Sequence, residues 1–264
     1  MPSCAGTDYK GEPSPLNWPD INSHFGVVDI CGFPKDAAGY YRAWWVPGST
    51  TVSLLPSSWN NPGVTAGQTL SVVAFTAGAT VELFVNGVSQ GVENVTAFGA
   101  ATFNNVVYAP GNASATSFDA SGKAIATTTI FTTGPAAALR VSCDAGSSTI
   151  AADGLDVSLV RVEVVDAAGN VVPDASPLLT YTATGAGAIY GVGNGDPADH
   201  TPDKVGNPDL PYGGVWARAA FNGLARVVVQ STTTPGSITV TATAPGLASG
   251  STTITTVAPP LGLA

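Results

Sequence analysis

The sequence predicts a mainly β fold: two antiparallel β-sandwiches in series, preceded by a short strand–loop–helix segment. Three observations carry this. Short runs of alternating apolar and polar residues recur from about residue 49 onward. Turn signals separate these runs, in a chain with 31 Gly and 20 Pro among 264 residues. The one wide helical stripe, Tyr40, Tyr41, Trp44 and Trp45, lies near the N-terminus.

The elements follow in chain order. Residues 11–20 read as a loop, because Gly11, Pro13, Pro15 and Pro19 interrupt ladders and helices alike. Pro34 fits the first position of a helix running through Trp45, which Pro47-Gly48 ends. Val81, Leu83 and Val85 then alternate with Glu82, Phe84 and Asn86. Asn86-Gly87 predicts a hairpin, since a type I′ turn needs positive φ at both central positions. Thr69–Phe75, Ala101–Tyr108 and Ile125–Phe131 read as further strands, and Thr133-Gly134-Pro135 as a boundary. Beyond it, Val160, Val162 and Val164 face one way, with Arg161 and Glu163 between them. Asp166–Asn170 is a turn, and Ala225–Gln230 and Ile238, Val240, Ala242 are later strands. Gly191–Gly214 has no periodicity and reads as an extended surface loop. The expected domains are 1–47, 49–134 and 135–258, with 259–264 as a tail.

Composition excludes several classes of function. Hydrophobic residues make up 44% of the chain, ample for packed cores. No run of about 18 apolar residues occurs, so no membrane-spanning helix is expected. A net charge of −9 with scattered cations argues against a nucleic-acid partner. Cys4, Cys31 and Cys143 form neither a disulfide framework nor a metal spacing, and read as small apolar fillers. Residues 1–8 have no basic start and no apolar segment, so they are not read as a secretory signal. Either the protein is intracellular or Met1 is not the start of the complete protein; the compartment stays open. His24 and His200 are the only histidines, which disfavours a two-His zinc site or a Ser-His-Asp triad. Asp196, Asp199, His200 and Asp203 crowd one loop, but at no EF-hand spacing and with Pro197 and Pro202 between them. That loop reads as solvated and suited to an interface. Gly191-Val192-Gly193-Asn194-Gly195 has no helix after it and is not a dinucleotide fingerprint. No metal and no cofactor are expected.

Three groups of residues carry a resemblance. The first is Gly6 to Pro13, Trp18-Pro19, Ser23 to Asp36, and Tyr40 to Trp45. The second is Leu54-Leu55-Pro56, Trp59-Asn60 and Val81 to Gly87. The third is Ile150 to Gly154, Val162 to Asp166, Gly191 to Pro197, and Phe221 to Ala225. Together they resemble the C-terminal portion of glycoside hydrolase family 2, in its β-galactosidase branch. The resemblance implies the last strand–loop–helix unit of a (β/α)8 barrel, an accessory β-sandwich, and an immunoglobulin-like sandwich related to invasin-type repeats. It implies a complete enzyme that hydrolyses terminal β-galactosides with retention. The family's acid/base and nucleophile glutamates lie on earlier barrel strands, and neither has a counterpart in this chain. The chain is therefore expected to be inactive alone, with no catalytic residue assigned. The implied partners are a β-galactoside carbohydrate and the missing barrel portion or a complementary subunit.

Asp8, Tyr9, Glu12 and Trp18 are expected near the substrate in the complete enzyme. Cys4 stands where family members carry a barrel-end Trp. Replacement of the missing glutamates by Asp8 and Glu12 is disfavoured. Four residues of extended chain span about 13 Å, whereas retaining hydrolysis needs carboxyls about 5 Å apart and inverting hydrolysis roughly 6.5–9.5 Å. A turn would shorten the distance, so the spacing alone leaves the pair open, but a water-excluding pocket would still be lacking. Trp44 and Trp45 read as helix residues packing against neighbouring structure. One competing reading is a non-catalytic carbohydrate-binding or adhesion-type module resting on residues 135–258. Its only aromatic candidates are Trp59, Trp216, Tyr190 and Tyr212. Another is a gene remnant with no function of its own.

Overall fold

The computed structural model describes residues 5–61, 63–211 and 213–259; Cys4 and Tyr212 lie outside them. The fold is mainly β, with one helix among the described residues. The chain divides into two compact units. One holds Phe25–Asp29 and Phe33–Thr133 with the strand before Asp8; the other holds Asp8–His24, Ile30–Gly32 and the chain from Gly134 onward.

The first unit opens with β1 (Ala5–Thr7) and β2 (Gly26–Val28), which pair in parallel, and α1 (Ala37–Trp45). It continues through β3 (Val52–Leu55), β4 (Thr69–Thr76), β5 (Thr80–Val85), β6 (Val88–Asn94), β7 (Ala101–Val107), β8 (Asn112–Phe118) and β9 (Ala124–Phe131). Two sheets, β3-β4-β7 and β6-β5-β8-β9, enclose its core. Val81, Leu83 and Val85 point into that core, as their alternation predicts. Asn86 (φ 49°) and Gly87 (φ 79°) make the β5–β6 turn. Asn86 then accepts a bond from Asn112 N at 2.8 Å and donates to Pro110 O at 3.0 Å.

The helix begins later than expected. Lys35 N–H is spent on Val27 O at 3.1 Å, and Pro34 forms a bridge with Val28, so the chain is still pairing with β2 when it passes Pro34. Helical turns start at Ala37. The aromatic stripe also divides. Tyr40 packs edge-on against Phe75 and donates to Phe98 O at 3.0 Å; Trp44 donates to Gly99 O at 3.1 Å. Tyr41 and Trp45 pair with each other, and Trp45 stays exposed. Gly39 lets the helix approach β3: a Cβ there would lie 2.6 Å from Ser53 Cβ.

The second unit comprises β10 (Ala136–Cys143), β11 (Thr149–Ala151), β12 (Val157–Asp166), β13 (Leu178–Gly185), β14 (Gly187–Gly193), β15 (Ala217–Ala219), β16 (Leu224–Ser231), β17 (Gly236–Thr243) and β18 (Gly250–Val257). Sheets β10-β12-β16-β14 and β11-β18-β17-β13-β15 face each other across a core that includes Val160, Val162, Val164, Ile238 and Val240. Pairing is antiparallel throughout except that β11 runs parallel to β18.

Gly191–Gly214 is not simply a surface loop. Its first three residues finish β14, and Asn194 and Gly206 are buried. Buried Arg218 holds the first part of this segment in, through Val192 O, Pro202 O and the carboxylates of Asp199 and Asp203, and Trp216 packs over Gly206.

Candidate functional site

Segment 8–24 is irregular but heavily tied. Gly11 N–H bonds to Ile21 O at 2.9 Å, and Glu12 bridges Asn22 through the backbone, closing the segment into a loop. Leu16 N–H to Pro13 O and Asp20 N–H to Asn17 O make the inner turns. Trp18 stands at the tip, 80% exposed.

This loop fastens to residues 197–203 of the same unit. Ile21 N–H donates to Pro197 O at 2.8 Å. His200 Nε2 lies 2.8 Å from Pro19 O; a carbonyl only accepts, so Nε2 carries the proton. The indole of Trp18 lies against the imidazole, with ring centroids 4.3 Å apart and planes tilted by 36°. Lys10 Nζ reaches Asp203 at 3.0 Å. Between the two segments is an open cleft of 680 Å³.

Arg218 anchors the far wall. It sits on β15 opposite Leu179 of β13 and so points inward, and it is 3% exposed. Its Nη1 donates to Asp199 at 2.9 Å; its Nη2 donates to Val192 O, Pro202 O and Asp203 at 3.0, 3.1 and 3.3 Å. Asn194 Nδ2 donates to Asp199 at 2.8 Å and Thr201 N–H to its other oxygen at 2.8 Å. Burial alone pushes the Asp199 carboxyl up, but the bonds from Thr201 and Arg218 outweigh it and hold the group at about 2. The acidic loop is thus organised by a buried cation. Among the described residues no group of three or more His, Cys, Asp or Glu side chains is placed to hold a metal ion.

The expected site residues separate into two places. Tyr9 OH donates to Glu12 at 2.7 Å on an exposed part of the segment, while Asp8 is buried just after β1. Trp18 is joined instead to His200. Local sequence contained no signal for that pairing. Arg218 was also missed, although an arginine between Ala217 and Ala219 in a short strand is a usable hint. Of the other aromatics, Trp59 is fully buried and cannot serve as a surface platform. Tyr190 is exposed and carries Lys204 Nζ 3.9 Å over its ring. Cys31 is more than a filler: its thiol donates to Asn194 O at 3.0 Å.

Comparison with known proteins places this architecture. Residues 139–253 match the glycoside hydrolase family 2 C-terminal domain 5, and residues 67–126 match a domain of unknown function, DUF4982. A β-galactosidase of Bacteroides ovatus, BoGH2A, is 38% identical over 243 residues, covering 92% of this chain and 26% of that protein. This chain is a C-terminal portion of glycoside hydrolase family 2. A β-glucuronidase of Formosa agariphila is 31% identical over 240 residues, covering 89% of the chain and 22% of that protein. Among solved structures, a β-glycosidase from Bacteroides vulgatus superposes with a TM-score of 0.82 at 28% identity, covering 95% of this chain and 30% of the other. This family 2 chain therefore spans about a quarter of the length of the curated relatives it matches.

Proposed function

We propose that the chain is the C-terminal part of a β-galactosidase-like enzyme that, when complete, removes terminal β-galactosyl units with retention. The observation that carries this is the 38% identity to the Bacteroides ovatus β-galactosidase across nearly the whole chain. In the complete enzyme one glutamate protonates the leaving oxygen and a second attacks the anomeric carbon. On this reading both lie on earlier barrel strands of the complete enzyme, outside this chain. β1, β2 and α1 are then the closing unit of the barrel, with Asp8, Tyr9 and Glu12 near its substrate, and the two sandwiches brace it.

The test is complementation. The purified chain is expected to leave a chromogenic β-galactoside intact. Co-expressed with the coding sequence immediately upstream, it is expected to yield an active complex that prefers the galactoside to the matching glucuronide. Turnover by the chain alone would refute the absence of the catalytic pair, and preference for the glucuronide would overturn the substrate assignment.

A further inference from the structure

We infer that the cleft between Trp18 and the 200–204 loop is a binding site for neutral oligosaccharide, and that it is complete within this chain. The ligand class rests on the glycosidase reading above; the site itself rests on the geometry.

The indole of Trp18 is a preformed platform. It is 80% exposed, yet its loop is closed by the Gly11–Ile21 and Glu12–Asn22 pairings and fastened at Ile21 and Pro19. One side of the ring rests on His200, which leaves the rest of the indole to the cleft. The hydrogen bonds of the loop hold the indole in place without covering it. The face of a pyranose, with its axial C–H groups, packs on an aromatic ring whose face is electron-rich. Polar groups ring this platform: Lys10 and Asp20 on one wall, Asp203 and Lys204 on the other. Sugar hydroxyls both donate and accept, so they suit such a mixed rim.

The charges also say which sugars fit. Lys10 is paired with Asp203 at 3.0 Å, and Asp203 shares Arg218 with Asp199. Asp20 lies 3.0 Å from His24, and Lys204 sits over the Tyr190 ring. Along the cleft two lysines (Lys10, Lys204) stand against three carboxylates (Asp20, Asp199, Asp203), an excess of one negative charge, with Arg218 buried behind Asp199. An anionic sugar meets this excess of carboxylates and finds Lys10 already paired with Asp203, whereas a neutral one needs only the ring and the rim.

Calorimetric titration of the full chain tests this, with β-1,4-galactotetraose as the probe and a tetragalacturonate of equal length as its anionic counterpart. Saturable binding of the neutral sugar is expected, at least tenfold tighter than the uronate. Trp18→Ala should weaken it at least tenfold with an unchanged melting temperature, because the side chain is exposed. Trp18→Phe should recover part of the loss, and His200→Ala should weaken binding by unseating the indole. No saturable binding, binding retained in Trp18→Ala, or preference for the uronate would overturn the proposal. The complementation assay is independent: a complex that turns over galactoside while the isolated chain binds no sugar removes this site and leaves the enzymatic reading intact.

Discussion

Replacing Arg218 with methionine is expected to destabilise the second unit by about 3–5 kcal/mol, the cost of breaking a buried ion pair by removing one partner. Methionine restores most of the side-chain volume but none of the donors. Asp199 then keeps Asn194 and Thr201 but loses its cation, and the carbonyls of Val192 and Pro202 lose a shared partner. The melting temperature of this unit should fall by roughly 10–15 °C. The pH dependence separates this cause from lost packing. Asp199 is held at about 2 in the folded chain, below its ordinary value of 3.8. A depressed carboxyl contributes stability that is fully present above pH 3.8 and is lost as the pH falls towards 2; the shift corresponds to about 2 kcal/mol. Urea midpoints measured between pH 6 and pH 2 should therefore drop in the wild-type chain and drop less in Arg218→Met. Equal slopes in the two proteins would show that the pair does not supply the stability assigned to it.

What was legible in the sequence and what was not divides along a physical line. Period-two alternation is local, so Val81, Leu83, Val85 and Val160, Val162, Val164 identify themselves as inward-facing from spacing alone, and they are buried. The Asn86-Gly87 turn is local too, because its positive φ angles are a property of those two residues. Alternation misjudged Glu163. It occupies an outward position, but Arg140 Nε lies 2.5 Å from its carboxylate and leaves it 8% exposed. The helix start was misread for a similar reason: Pro34 has the right φ for a first turn, but pairing with β2 claims it first. At the candidate site the decisive pairs are far apart in the chain, with His200 181 positions from Pro19 and Asp203 193 positions from Lys10. No propensity encodes such a pairing. Asp8, Tyr9, Glu12 and Trp18 were reached through the family resemblance rather than through spacing. Their separation into a Tyr9–Glu12 pair and a Trp18–His200 pair required the fold.

Trp59 shows the same limit from the opposite side, and with a large measurable effect. Its neighbours Ser57, Ser58, Asn60 and Asn61 are polar, and it lies between β3 and β4 with no periodicity, which makes it look like a surface aromatic. In the fold it is 0% exposed, with its indole N–H donating to Ala109 O at 2.9 Å and its ring 5.4 Å from that of Tyr108. Its own carbonyl accepts from Tyr108 and Thr132, each at 3.2 Å. The residue thus ties the chain after β3 to the chain after β7 and to the end of β9. Trp59→Ala should cost about 3–5 kcal/mol through lost burial and the cavity left behind, with a further loss from the unpaired Ala109 carbonyl. For a unit of this size that is a fall in melting temperature on the order of 20 °C. Trp59→Phe keeps much of the ring but not the N–H, so its loss should be well under half as large. A carbohydrate-stacking tryptophan at the surface behaves in the opposite way: its removal abolishes binding and leaves stability nearly unchanged. Thermal melts of Trp59→Ala beside Trp18→Ala therefore distinguish the core tryptophan from the cleft tryptophan in one experiment, and a Trp59→Ala chain that melts like wild type would contradict the burial on which this assignment rests.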